Sequence, residues 1–209
     1  SHVGIPVNGI IGYHFFKNQP IKIDFERHVI TVYNEKFFNE KKLKKFEKLP
    51  ISIEGQKPYL VTEVQQSKDF FPAKMLVDLG NSDALWLFPN RIPHFNYNRP
   101  NIDDFLGRGF NGDIYGKRSR IHAVKLGKST LNEPIASMPS EESVKSMNFA
   151  KGRIGSIGSD ILKRFTIVFD YPNNNLYIKK SKTVKDPFKF NMSGLDIKHD
   201  GMKWENDLV

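Results

Sequence analysis

One passage of this sequence is written twice, and that repetition constrains the fold more than any other feature. Gly9-Ile10-Ile11-Gly12 leads through Tyr13-His14-Phe15-Phe16-Lys17 into Ile21-Lys22-Ile23-Asp24-Phe25, a charged turn at Glu26-Arg27-His28, and Val29-Ile30-Thr31-Val32-Tyr33. Much later, Gly155-Ser156-Ile157-Gly158 leads through Ser159-Asp160-Ile161-Leu162-Lys163 into Ile167-Val168-Phe169-Asp170-Tyr171, the turn Pro172-Asn173-Asn174-Asn175, and Leu176-Tyr177-Ile178. Gly9 matches Gly155, Gly12 matches Gly158, Lys17 matches Lys163, Ile21 matches Ile167, Asp24 matches Asp170 and Ile30 matches Leu176, all at one offset without a gap. Each copy predicts a glycine-bounded apolar pair, a helical turn or two, and an antiparallel hairpin. Copies this far apart imply two related lobes rather than a stack of short units. The second copy is preceded by the whole stretch from Asp78, the first only by Ser1 to Asn8. The chain is therefore expected to be the C-terminal part of a longer precursor, with residues 1–48 closing a first lobe, 49–182 forming a second, and 183–209 a linker.

Within the second lobe, Lys74-Met75-Leu76-Val77-Asp78-Leu79-Gly80-Asn81-Ser82-Asp83-Ala84-Leu85-Trp86-Leu87-Phe88 sets an acid and a glycine between two apolar runs. Asp and Gly are ordinary turn residues, so a plain hairpin turn is one reading. An acid held between buried strands must otherwise be paired, hydrogen-bonded or used. Asp83 reads as a turn acid, and Asp24 and Asp170, at equal repeat positions in hairpin strands, as structural acids.

Around this loop the chain reads mostly as strand. Leu49 to Val64 predicts a hairpin, Ala73 to Val77 continues the sheet, and Pro89 to Pro100, with three prolines and three asparagines, predicts a loop. Gly107-Arg108-Gly109-Phe110-Asn111-Gly112 matches the dinucleotide fingerprint letter for letter. That fingerprint needs a helix after it, whereas Asp113 to Gly127 reads as strand, so the glycines mark a hairpin tip able to cover a cleft. Asp103 and Asp104, just before it, read as solvated.

The net charge of +9 raises the question of nucleic acid, but the 32 Lys and Arg residues are scattered. Their densest cluster, Lys41 to Lys48, has apolar residues three apart and predicts a short amphipathic helix with a solvated face. Neither nucleic-acid binding nor a membrane-spanning segment is expected. With no cysteine there is no disulfide, thiolate nucleophile or cysteine-ligated metal. The histidines lack metal-ligand spacing and no Gly-x-Ser-x-Gly elbow occurs, so neither metal nor cofactor is expected.

The order Asp-x-Gly, glycine-rich hairpin, apolar-apolar-Gly, short helix and hairpin resembles the aspartic peptidases of the pepsin and retropepsin type. More closely, it resembles bacterial two-lobed aspartyl-protease-family proteins in which a segment like Pro187 to Leu195 leads to a PDZ domain. The resemblance implies an all-β fold with short helices. It makes Asp78 a catalytic acid, Leu79, Gly80, Asn81 and Ser82 its loop, and Gly107 to Gly112 a flap. Ser156, Ile157 and Gly158 would brace the loop, and Ile10, Ile11 and Gly12 would brace that of the first lobe. It further implies a peptide or protein substrate, an envelope or exported location, and a second Asp supplied by an upstream segment or a second chain. Two carboxylates held close share one proton, so one polarises the amide carbonyl while the other activates water. Leu79 stands where the family has Thr or Ser, whose hydroxyl ties the two loops together. The alternative function is therefore an inactive peptide-binding or scaffold module on the same fold.

Overall fold

The computed structural model describes residues 11–109, 112–145 and 147–190, so Ile10, Phe110, Asn111 and the 191–209 part of the expected linker lie outside the described residues. The chain begins with the helical turn α1 (Tyr13–Phe16) and the hairpin β1 (Ile21–Asp24) and β2 (Val29–Val32). Then follow β3 (Glu47–Pro50), β4 (Ser52–Glu54), β5 (Lys57–Gln65), β6 (Phe70–Val77) and β7 (Leu85–Leu87). A long hairpin, β8 (Asn101–Gly109) and β9 (Gly112–Arg120), leads to β10 (Ala123–Leu126), β11 (Ser129–Asn132) and β12 (Ile135–Pro139). The turn α2 (Glu141–Val144), β13 (Arg153–Ile157), α3 (Ser159–Leu162) and the hairpin β14 (Phe165–Asp170) and β15 (Asn175–Lys180) complete a mainly β fold with short helices.

These strands form two sheets. The larger has the order β11-β10-β5-β6-β13-β7-β12-β9-β8, with β4 beside β5. Ala73, Met75 and Val77 of β6 alternate toward a core shared with Leu85, Leu87 and Ile157, and all are buried. Burial of each of the Met, Val, Leu and Ile side chains contributes about 1.5–3 kcal/mol. The smaller sheet has the order β2-β1-β14-β15-β3. Ile161 and Leu162 of α3 join both sheets into one core with Ile167, Phe169, Leu176 and Ile178.

The repeat has a geometric meaning in the smaller sheet. β1 pairs antiparallel with β14, Ile21 facing Phe169, Lys22 facing Val168 and Ile23 facing Ile167. Lys22 and Val168 are repeat equivalents, and Ile21 faces the equivalent of Ile23. A local two-fold axis therefore passes through the Lys22–Val168 pair and exchanges the copies. α1 corresponds to α3, β1 to the end of β14, and β2 to the start of β15.

Three expectations need correction. Lys41 to Lys48 is no amphipathic helix: a 3-10 turn over Glu40–Leu43, capped by Asn39, is followed by strand β3. So short a helix is marginal alone, whereas the open edge of β15 offers backbone partners and Leu43 is buried against Val168 and Tyr177. For the same reason Leu49 leaves the predicted hairpin to pair with Leu176, and the hairpin is confined to β4 and β5. Thirdly, Asp104 of β8 is half-buried and pairs with Arg118, whereas Asp103, paired with Lys117, is solvated as expected, its side chain 86% exposed. The described start of the expected linker packs on Arg164 and Arg120. Phe188 is buried under the Arg164 guanidinium, 3.7 Å from its ring centre, and its carbonyl accepts from Arg120 at 2.9 Å.

Candidate active site

The loop carrying Asp78 is shaped by strand order. β13 lies between β6 and β7, parallel to β6 and antiparallel to β7. A chain passing from β6 to β7 must therefore cross the end of β13, and residues 78–84 make that crossing. Backbone hydrogen bonds fasten it there. Asp78 N–H donates to the Ile157 carbonyl at 2.9 Å, Gly158 N–H to Ala84 at 2.9 Å, and Ser159 N–H to Asn81 at 2.7 Å. Ser156 and Ile157 are buried beneath. At the crossing only glycine fits: a Cβ on Gly158 would stand 2.1 Å from the Asp83 carbonyl oxygen and 2.9 Å from that of Asn81.

Asp78 is half-buried at the end of β6, and its Oδ1 accepts the Gly80 N–H at 3.0 Å. Asn81 repeats the device, its Oδ1 accepting the Asp83 N–H at 2.9 Å. These turns fix the loop from within. Leu79 turns outward, 39% exposed, and Gly80 and Ser82 are exposed beside it. On β13 the buried Arg153 guanidinium donates to the Gly155 carbonyl at 3.0 Å and to Ser156 Oγ at 2.7 Å, and lies over the rings of Phe88 and Phe149. Burial lowers its pKa from the ordinary arginine value, opposed by the fields of Tyr59 and Asp78.

Asp83 is the loop's best-connected acid, which corrects its reading as a turn residue. Its Oδ1 accepts from Arg118 Nη1 at 2.7 Å, and its Oδ2 from Trp86 Nε1 at 2.6 Å and Ser137 Oγ at 2.8 Å. Arg118 Nε also donates to Asp104 Oδ2 at 2.5 Å. Burial opposes the charge on Arg118, yet Asp83 and Asp104 raise its pKa above the ordinary value. One guanidinium thus ties the Asp loop to the root of the β8–β9 hairpin. Sequence reasoning missed this cluster because Arg118 and Ser137 lie far along the chain; an acid directly before the buried run Ala84-Leu85 was its one local signal.

The flap-like hairpin closes with Gly109 facing Gly112. Gly107 and Gly112 have φ of 141° and 125°, conformations that favour glycine. Below the tip, Arg108 Nε donates to Asp113 Oδ1 at 2.6 Å. A cleft of about 1170 Å³ lies beside the loop, floored by Ser82, Asp83 and Ala84 and walled by Ile102 and Phe105 of the hairpin. α3 and residues 183–190 form its far side, and Asp78 does not line it.

The first-lobe brace residues are placed differently. Gly12 starts α1 and has no atom within 4 Å of a Cβ position, and Ile11 is 65% exposed. Of the two predicted braces, only that at Gly158 meets an Asp loop among the described residues. No group of three or more His, Cys, Asp or Glu side chains that could hold a metal occurs among the described residues, and no described helix is long and apolar enough to cross a membrane.

No protein-family model matches the chain, and no curated protein matches it. Among solved structures it is similar to a retropepsin-like aspartic protease from Rickettsia conorii, with a TM-score of 0.38 and 14% identity, over 63% of this chain and 98% of that one. A likeness of that strength establishes neither activity nor site.

Proposed function

We propose that this chain belongs to an aspartic-type endopeptidase in which Asp78 is one carboxylate of the water-activating pair. The observation that carries the reading is the crossover itself. It sets a half-buried carboxylate at a strand end, holds it by the Gly80 N–H, and presses its loop on Gly158. A carboxylate so fixed needs little reorganisation when a proton moves. Its partner carboxylate comes from an upstream segment or a second chain, and an extended peptide binds between loop and hairpin. Held close together, the two acids keep one proton between them and titrate as a pair. One carboxyl polarises the scissile carbonyl while the other takes a proton from the attacking water. A downstream PDZ domain and an envelope location also belong to the proposal, on the sequence resemblance alone.

Leu79 favours a second reading, a peptide-binding module without catalysis, because an apolar side chain cannot supply the hydroxyl that ties two such loops together. Cleavage of a peptide library by the complete polypeptide, across acid to neutral pH, separates the readings. Asp78→Asn is expected to lower cleavage by at least about 10²-fold, the scale of general acid–base catalysis. Unchanged cleavage in the variant refutes the role of Asp78. Peptide binding without cleavage by the unaltered polypeptide favours the module.

A further inference from the structure

Asp186-Pro187 is the one Asp-Pro pair in the sequence, and both residues line the far side of the cleft. The backbone around their peptide bond is held on both sides. Asp186 N–H donates to the Thr183 carbonyl at 3.0 Å, and Phe188 is buried under the Arg164 guanidinium. Between these anchors the Asp186 carbonyl oxygen accepts a hydrogen bond from Arg164 Nη1. Arg164 is itself fixed, being buried and donating from Nε to the Asp160 carbonyl at 2.8 Å. Asp186 has φ of −63° and ψ of 140°, the extended backbone that a following proline requires. Its side chain, by contrast, is exposed to water and to solvent protons. A charged donor therefore sits on the carbonyl of a tertiary amide whose own residue carries a free-standing carboxyl group.

We propose that Asp186–Pro187 is a self-cleavage site, at which the fold promotes acid hydrolysis of the peptide bond and Arg164 stabilises the oxyanion. An oxygen of the Asp186 carboxylate bonds to the Asp186 carbonyl carbon, an intramolecular attack that closes a five-membered ring. Negative charge gathers on the carbonyl oxygen, where the Arg164 N–H already points. A proton from acidic solvent goes to the Pro187 nitrogen, and the C–N bond breaks with its electron pair staying on that nitrogen. Water then opens the cyclic anhydride, which leaves two carboxyl groups at residue 186 and a secondary amine at Pro187. Other charges line this part of the cleft. Lys163 pairs with Asp160 at 2.7 Å, Glu26 accepts the Lys182 N–H at 2.9 Å, and Lys189 is exposed; Arg164 is the one seen on the scissile carbonyl. The step uses neither Asp78 nor a second carboxylate, so it goes beyond the proposed function. Once the bond is cut, Phe188 keeps its place only through its ring and its carbonyl, and its departure opens the far side of the cleft.

The 209-residue chain is incubated between pH 4 and 6, in buffers where circular dichroism shows it folded, and in the same buffers with urea enough to unfold it. Intact-mass spectrometry follows the appearance of a fragment ending at Asp186 and one beginning at Pro187. The folded chain is expected to be cut at least about tenfold faster than the unfolded one, at a rate independent of its concentration. Asp186→Asn, at an exposed position, should abolish the cut, and Asp186→Glu, which must close a larger ring, should slow it. Arg164→Met should bring the folded rate down to the unfolded one, and Arg164→Lys should restore part of it. Equal or slower cleavage of the folded chain overturns the proposal, as does a cut that survives Asp186→Asn. A rate that rises with chain concentration overturns it in favour of one molecule cutting another. Should Arg164→Met fail to fold, the comparison of folded with unfolded chain and the two Asp186 variants still decide. Loss of peptidase activity against added peptides leaves this cut untouched, so the two readings fail separately.

Discussion

Gly158→Ala addresses the crossover directly. The added Cβ would lie 2.1 Å from the Asp83 carbonyl oxygen, where carbon–oxygen contacts normally rest at about 3.3 Å or more. The loop must therefore retreat by roughly 1 Å. Retreat strains or breaks the bonds from Gly158 N–H to Ala84 and from Ser159 N–H to Asn81, each worth about 0.5–1.5 kcal/mol net. Overpacking adds about 1–3 kcal/mol, for an expected loss of about 2–5 kcal/mol. Against a typical domain stability of about 5–15 kcal/mol, such a loss moves a urea midpoint far outside measurement error. Circular dichroism during urea unfolding reads it. The matching control is Gly12→Ala in the 209-residue chain: φ is −124° and no atom lies within 4 Å of the new methyl, so the change is expected to stay within about 0.5 kcal/mol. Equal costs at the two glycines, or a Gly158 variant as stable as the parent, would refute the reasoning.

Two further perturbations probe the polar contacts. Arg118→Met removes the tie from Asp83 to Asp104, whose carboxylates are only partly exposed, and is expected to cost about 1–3 kcal/mol; amide exchange in β8 and β9 should accelerate, and unchanged exchange there would contradict the tie. Asp170 is buried, and burial raises its carboxyl pKa above the usual range against the opposing bonds from Asn173. The native state then holds that proton more tightly than the unfolded chain, so this contribution is complete below the unfolded pKa of about 4 and is lost as pH rises through the folded value. The stability of the parent relative to Asp170→Asn should fall as pH rises above about 4, and parallel profiles for the two proteins would exclude this linkage.

The repeat was legible because both copies keep glycines, apolar alternation and turn chemistry in one register, and these act over a few residues. The loop around Asp78 and the glycines of the β8–β9 hairpin stand out for the same local reason. Pairing across the chain was not legible. Nothing near Lys41 to Lys48 announces that the edge of β15 will recruit Glu47–Pro50 into a sheet. Nor does anything near Asp83 point to Arg118, which strand order alone brings within 2.7 Å. Local propensity yielded to a tertiary partner in both places. The pairing of β1 with β14 is the same kind of fact: the repeat shows two equal hairpins, and only the fold shows them joined edge to edge.

That pairing also orders events during synthesis. The β1–β2 hairpin leaves the ribosome before β14, and its partner residues Ile167, Val168 and Phe169 come only after all of the larger sheet's strands. Until then β1 presents a bare backbone edge flanked by Ile21 and Ile23, the kind of edge that captures other nascent strands. Contacts so distant in sequence form slowly. The smaller sheet is thus the last seam to close, and conditions that delay β14, rather than ones that loosen the core, should decide how much newly made chain is lost to aggregation.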